Sequence, residues 1–185
     1  MKLNRALFGR YVTLHPACNI NGIYKEPMKD YRGFPKTYYV DAYSDSDHIF
    51  LETSFYYPGV TAKNNPGLGS DHLALMDEYR KMMSILILAH DEAEAHNRIA
   101  LNEKTGEPIL DYMVSQAVKT ALIQALRRSA EIFFPAGCEK VALPGSSKPV
   151  LTASDMKDLL SLVDLPYLDL QRSPQDSTES RDSRA

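Results

Sequence analysis

The sequence is poor in several features that mark large classes of proteins. It has two cysteines, Cys18 and Cys138, which are too few for a disulfide framework and too far apart for a metal knuckle. We therefore expect two buried thiols in a reducing compartment. The longest apolar run, at residues 85–89, is far shorter than the roughly 20 residues that a membrane-spanning helix needs. The sequence therefore predicts no transmembrane segment.

An excess of charge of one sign is lacking as well. The chain carries 21 basic and 24 acidic residues, a formal net charge of −3, so nucleic-acid binding is not predicted. Lys2 and Arg5 are not followed by the apolar stretch of a secretory signal, which favours an intracellular location. With 44% hydrophobic and 24% charged residues, the composition is that of an ordinary soluble domain with one core.

The first third of the chain is rich in β-forming residues. Apolar and polar residues alternate in "YVTLHP", "CNINGIY", "KTYYVDAY" and "HIFLETSFYY", and glycines and prolines separate these segments. This pattern predicts three or four strands within residues 11–57. Beyond a turn, apolar residues recur at intervals of three and four from Leu73 to Leu86. They predict a helix over residues 71–90, capped by Ser70 or Asp71.

The second half of the chain contains the pattern of a hairpin followed by a long helix. Two short alternating segments, residues 98–101 and 109–112, flank a turn and predict the hairpin. Ser115 is expected to cap the helix, and Pro135 and Gly137 to end it. Its apolar stripe comprises Val118, Leu122, Ala125, Leu126, Ser129, Ile132 and Phe133.

The C-terminal segments complete the predicted fold. "CEKVAL" predicts a strand, and Thr152 or Ser154 is expected to cap a short helix that reaches Leu162. Residues 169–185 are polar and are predicted to be a disordered tail. The sequence therefore predicts an α+β fold with a mainly antiparallel sheet of five to six strands, on which two long helices and one short helix pack.

The residues by themselves show no complete catalytic constellation. His90 and His96 in "HDEAEAH" are six residues apart, whereas the zinc-protease helix places two histidines four apart on one face. We therefore expect a solvated helix end and no metal there. "GLGS" at residues 67–70 lacks the full G-x-G-x-x-G spacing, so it predicts a turn and a helix start.

Tyrosines are concentrated in the predicted strand region. Tyr38, Tyr39, Tyr56 and Tyr57 are candidates for the lining of a ligand pocket, because tyrosine combines a large apolar ring with a polar tip. Because side chains alternate between the two faces of a strand, about half of these tyrosines would face solvent in any sheet.

Three segments, taken in their order along the chain, resemble one known family. They are "GRYVTLHP" at residues 9–16, "GEPILDY" at residues 106–112 and "FPAG" at residues 134–137. Over about residues 4–164, the sequence resembles the glucose-methanol-choline (GMC) family of FAD-dependent oxidoreductases, in particular its long-chain fatty alcohol oxidase branch. The positions that match the family motifs are Gly9, Arg10, Leu14, His15, Pro16, Gly106, Pro108, Tyr112, Phe134, Ala136 and Gly137.

The resemblance implies a substrate-binding role for residues 1–168. In the family, such a domain forms one wall of the pocket, here for a long-chain or apolar primary alcohol, and FAD performs the oxidation. His15 matches a motif position near the flavin domain boundary, so it is a candidate for cofactor binding or for a structural role. No catalytic residue is assigned.

Two parts of the family pattern do not match. The G-x-G-x-x-G fingerprint and the C-terminal histidine segment are not found in this sequence. We therefore expect the chain alone to be inactive and not to bind FAD, and a flavin-binding domain or chain to be its partner. The alternatives are a non-catalytic module that binds apolar ligands or a partner protein, and the product of an incomplete gene. If the chain is part of the enzyme, we expect an apolar surface where the flavin domain docks. If it is an adapted module, we expect polar residues at that place.

Overall fold

The elements of the chain follow the order expected of an α+β fold. The computed structural model describes residues 7–29, 32–146 and 148–159. The strands and helices are β1 (Ala17–Ile23), β2 (Tyr39–Val40), β3 (Ile49–Ser54), α1 (Pro58–Asn64), α2 (Gly69–Asp77), β4 (Met82–Ala89), β5 (Arg98–Leu101), β6 (Pro108–Asp111), α3 (Gln116–Phe133), β7 (Lys140–Ala142) and β8 (Val150–Leu151). Short 3-10 helices lie at Tyr79–Lys81 and Ala153–Lys157.

Six of the strands form one antiparallel sheet in the order β2-β3-β4-β1-β7-β8, and β5 and β6 form a separate hairpin. This confirms the predicted fold class and the predicted antiparallel sheet. The two central strands, β4 and β1, pair over their full length, from Ala17 opposite Leu88 to Ile23 opposite Met82.

Helix α3 covers one face of the sheet and forms the main core with it. Its buried residues are Val118, Leu122, Ala125, Leu126, Ser129, Ala130 and Phe133. They pack against alternate strand residues, among them Ile20, Leu51 and Ile87. Gly22 allows the close approach of the helix end, because a Cβ atom at this position would lie 2.6 Å from Cδ1 of Phe133. The predicted stripe is confirmed except for Ile132, which is 37% exposed.

The predicted helix over residues 71–90 is confirmed as far as residue 77 and wrong beyond it. Helix α2 ends at Asp77, and a 3-10 helix at Tyr79–Lys81 leads into strand β4. The error has a physical cause. Strand β4 lies between β1 and β3, so its residues are apolar on both faces, and a short apolar run fits the helical and the strand period equally well. The sheet therefore packs one long helix, α3, within the described residues, instead of the two that were predicted.

The other local predictions have mixed outcomes. Three strands are found within residues 11–57, as predicted, but "YVTLHP" is not one of them. Ser115 caps α3, with its Oγ accepting a hydrogen bond from the backbone N–H of Val118 at 3.2 Å. Thr152 also caps as predicted, in a capping box with Asp155. The N-cap of α2 is Leu68 instead of Ser70 or Asp71. The prediction for residues 169–185 lies outside the described residues, as does the end of the last predicted helix at Leu162.

Candidate functional site

The face of the sheet that α3 does not cover is only partly covered by other elements. We call it the open face. Because paired residues of an antiparallel sheet point to the same side, the pairing places Asn21 beside Ser84, and Asn19 beside Leu86. Leu86 in turn pairs with Glu52, and Glu52 with Tyr39 of the edge strand. A row of side chains thus crosses the open face from Asn19 to Tyr39.

Three buried asparagines form a hydrogen-bonded relay on the open face. Asn65, just beyond α1, donates from Nδ2 to Sδ of Met76 at 3.3 Å and approaches Sδ of Met82 at 3.7 Å. Its Oδ1 accepts from Nδ2 of Asn21 at 2.6 Å. Oδ1 of Asn21 accepts from Nδ2 of Asn19 at 3.0 Å and from the hydroxyl of Ser84. The relay joins α1, α2 and the two central strands.

A cavity of about 340 Å³ opens beside this relay. Its volume falls within the range of roughly 300–1,000 Å³ that is typical of small-molecule sites. Asn19 is 9% exposed, and its Oδ1 is buried with no hydrogen-bond partner among the described residues. The cavity is lined by Ala17, Cys18, Asn19, Tyr56, Lys63, Asn64, Leu86 and Pro144.

The four candidate tyrosines lie in different environments. Tyr56 is half-buried and lines the cavity. Tyr39 lies on the open face, where it stacks on Phe50 with ring centroids 5.0 Å apart, but it is 63% exposed. Tyr38 and Tyr57 are each 74% exposed and do not line the cavity. The predicted pocket residues did not include Asn19, Lys63 or Leu86. The sequence did contain a signal for the site. Asparagine is depleted in strands, yet it occurs at two alternate positions of an apolar strand, Asn19 and Asn21.

His15 lies in the irregular segment that precedes β1. It is exposed, and it stands two residues before Ala17, which lines the cavity. The adjoining residues are held in place, since the carbonyl of Pro16 accepts from the N–H of Ala89 at 2.9 Å. The N–H of Leu14 donates to Oδ2 of Asp91 at 3.4 Å.

Asp91 connects two of the family-like motifs. Its buried carboxylate accepts hydrogen bonds from the hydroxyl of Tyr112 and from the N–H of Leu14. Burial raises the pKa of Tyr112, and the hydrogen bond and negative charge of Asp91 raise it further. The tyrosine is therefore a permanent donor at neutral pH, which indicates a structural role for this pair.

The segment before β1 and the hairpin expose a group of apolar side chains. Residues 9–12 run beside β5, where the N–H of Ile99 donates to the carbonyl of Gly9 at 2.6 Å and that of Val12 donates to the carbonyl of Asn97 at 3.0 Å. We call the exposed side chains on these adjoining segments the apolar patch. They are Leu7, Phe8, Tyr11, Ile99, Leu101 and Met113.

A second cavity, of about 520 Å³, lies at the start of α3. His48 and His90 border it, with ring centroids 6.4 Å apart, together with Glu92 and the first turns of the helix. His90 follows β4, so "HDEAEAH" is a loop and not the predicted helix end. Across the part of the chain that the structure describes, no three side chains of histidine, cysteine, aspartate or glutamate are grouped as metal ligands.

Both thiols are buried, as predicted. Burial raises the pKa of Cys18 to about 12. The pKa of Cys138 is also raised by burial, and its Sγ donates to the carbonyl of Lys140 at 2.7 Å. Neither thiol is therefore ionised at neutral pH, which excludes a thiolate nucleophile in the native state.

Comparison with known proteins points in the same direction as the motifs. Over 154 residues, 82% of this chain, the sequence is 23% identical to proteins described as uncharacterized GMC-type oxidoreductases in two strains of Mycobacterium tuberculosis, CDC 1551 and H37Rv. The chain is similar to GMC-type oxidoreductases. It spans 24% of the length of these relatives. No protein-family model matches the sequence.

Within residues 7–29, 32–146 and 148–159, no helix combines the length and apolar character needed to span a bilayer.

Proposed function

We propose that the chain supplies the substrate-binding part of a GMC-type, FAD-dependent alcohol oxidoreductase. In this proposal, residues 1–168 form one wall of a pocket for a long-chain or apolar primary alcohol. The similarity to GMC-type oxidoreductases over 82% of the chain supports the family. The proposal for the pocket rests on one structural observation, which is that the open face holds a cavity bordered by Tyr56, Leu86 and Asn19.

The described residues do not fit FAD. A dinucleotide site needs a glycine-rich turn between a strand and a helix, so that backbone N–H groups meet the pyrophosphate. The glycine-rich turn before α2 follows helix α1 instead of a strand, and it lacks the complete fingerprint. We therefore propose that another domain or chain binds the flavin.

The apolar patch supports a partner of this kind. Large apolar side chains that are exposed next to each other mark surfaces on which another protein packs. The patch includes Tyr11 of the segment at residues 9–16, which resembles the exit from the flavin domain and in which His15 occupies a motif position. We propose that the flavin-binding partner covers the patch and that His15 lies near this boundary.

Two measurements on the purified chain test the proposal. The first is a visible absorption spectrum after incubation with excess FAD and desalting, for which we expect a colourless protein. Retained flavin would overturn the assignment of FAD to a partner. The second is a titration with 1-octanol, followed by amide ¹H–¹⁵N spectra. We expect shifts at Asn19, Tyr56 and Leu86, and no binding at these residues would overturn the proposed pocket.

The second candidate is a non-catalytic module that binds apolar ligands. It is favoured by the fact that the described residues form the cavity but do not fit FAD, since a module of this kind needs no flavin. The two candidates differ in the apolar patch, because only the enzyme requires a flavin-binding partner there. Substitution of Phe8 and Leu101 by serine should leave octanol binding intact in both cases. It should weaken association with a flavin-binding partner only if the chain is part of the enzyme.

A further inference from the structure

The asparagine relay on the open face has a fixed direction. A thioether sulfur accepts hydrogen bonds and cannot donate them. Met76 and Met82 therefore require Asn65 to present its Nδ2 group to them, at 3.3 and 3.7 Å. The Oδ1 of Asn65 is then left to face Asn21, which must present its own Nδ2 in return.

The orientation of Asn21 in turn determines how Ser84 and Asn19 bond to it. Since Nδ2 of Asn21 is engaged, its Oδ1 is the atom that faces β4 and Asn19, and it accepts from both the hydroxyl of Ser84 and Nδ2 of Asn19. The amide of Asn19 is thereby oriented with its Oδ1 away from the relay. This oxygen is the one side-chain acceptor of the three amides that lacks a partner among the described residues.

We infer that Asn19 is a specificity-determining residue that accepts a hydrogen bond from a donor group of the ligand in the 340 Å³ cavity. This inference rests on the proposed function, in which the donor is the hydroxyl group of the alcohol. A buried carbonyl oxygen without a partner is unfavourable, so a ligand that donates to Asn19 gains relative to one that cannot. The residues Met76, Met82, Asn65 and Asn21 are positioning residues that act through Asn19.

A matched pair of ligands tests this inference without any variant. 1-Octanol and 1-methoxyheptane have the same number of non-hydrogen atoms, but only the alcohol donates a hydrogen bond. Titration of the intact chain, followed by amide ¹H–¹⁵N spectra, gives a dissociation constant for each. We expect the alcohol to bind roughly 2- to 10-fold more tightly, with the largest shift of a side-chain amide at Asn19.

The variants then locate the source of the preference. Asn19→Leu should bind the two ligands with a ratio close to one, since the acceptor is lost and the apolar volume is kept. Asn102→Leu is the matched control, because Asn102 lies in the turn of the hairpin and does not line the cavity. It should keep the preference. The double variant Met76→Leu and Met82→Leu frees the relay to reverse, so the preference should decrease although neither residue lines the cavity.

The outcomes distinguish the proposed ligand site from the specific role of Asn19. If neither ligand shifts the residues of the cavity, the proposed function is overturned together with the inference. If both ligands bind the wild-type chain equally, the cavity remains a ligand site and the role of Asn19 is overturned. A preference that persists in Asn19→Leu, in a variant with native amide dispersion, also overturns that role.

Discussion

The hydroxyl of Tyr112 donates a hydrogen bond to the buried carboxylate of Asp91, which also accepts from the N–H of Leu14 at 3.4 Å. The two residues are 21 positions apart and connect the end of the hairpin to the loop after β4. Through Leu14, the pair also holds the segment before β1. The two motifs that resemble the GMC family at residues 9–16 and 106–112 thus meet at one buried charge.

Replacement of Tyr112 by phenylalanine should destabilise the fold without changing its shape. The substitution leaves the buried carboxylate of Asp91 without its hydroxyl donor, and we expect the free energy of unfolding to fall by about 1–3 kcal/mol. Urea unfolding measures this change. Tyr38→Phe is the control, since Tyr38 is 74% exposed and should change stability by less than about 0.5 kcal/mol. Equal effects of the two substitutions would contradict the role assigned to Asp91.

The free energy of unfolding should decrease in alkaline solution. Cys18 has its pKa raised from 9.0 to about 12, and the pKa of Tyr112 is also raised. The folded chain therefore retains protons that the unfolded chain releases, so this stabilisation is complete below about pH 9 and is lost as the pH rises toward 12. Cys18→Ala should make the decrease smaller between about pH 9 and pH 12. An unchanged pH profile would contradict the shift.

Neither thiol should react promptly with an aromatic disulfide reagent at neutral pH. Cys18 and Cys138 are both buried and protonated, and the thiolate is the reactive form. We expect reaction at the rate of local or global opening, followed by rapid modification of both thiols in denaturant. A fast phase in the native protein would show that one cysteine is accessible.

Gly22→Ala should destabilise the contact between β1 and the end of α3. The added methyl group would lie 2.6 Å from the ring of Phe133, and overpacking of this kind costs roughly 1–3 kcal/mol. In the Phe133→Leu background, the same substitution should cost less, because the clashing ring is gone. Gly59→Ala, where no atom apart from the adjoining residues and the backbone of the same helix lies within 4 Å of the new Cβ, is the control and should be neutral or slightly stabilising.

Replacement of Leu122 or Ile132 on α3 by alanine removes the same number of atoms but should lower the free energy of unfolding by very different amounts. Leu122 is fully buried against the sheet, and Leu122→Ala should lower the free energy of unfolding by about 2–5 kcal/mol. Ile132 is 37% exposed on the same helix, so Ile132→Ala should cost roughly 1 kcal/mol or less. Thermal or urea unfolding of both variants gives the comparison. Similar losses would contradict the orientation of the helix.

The sequence by itself determined the elements whose signals are local. Ser115, the stripe of α3 and the turn between β5 and β6 are each specified within a few residues, and these predictions agree with the structure. The capping residue Thr152 belongs to the same group. The caps and the turn are formed by residues that are close together in the chain, and the helical period of the stripe is visible within one segment, so the local pattern contains the information.

The tertiary structure decided those features that depend on contacts between residues distant in the chain. The run at residues 82–89 is a strand because β1 and β3 pair with it on both sides. Tyr56 lines the cavity and Tyr57 does not, and most of the other walls of the cavity come from β1, α1 and β4, which are separate in the chain. Asn19 presents its oxygen because Asn65, on another element, fixes Asn21, 44 residues away. Such choices depend on burial and hydrogen bonding between distant segments, which periodicity within one segment does not record.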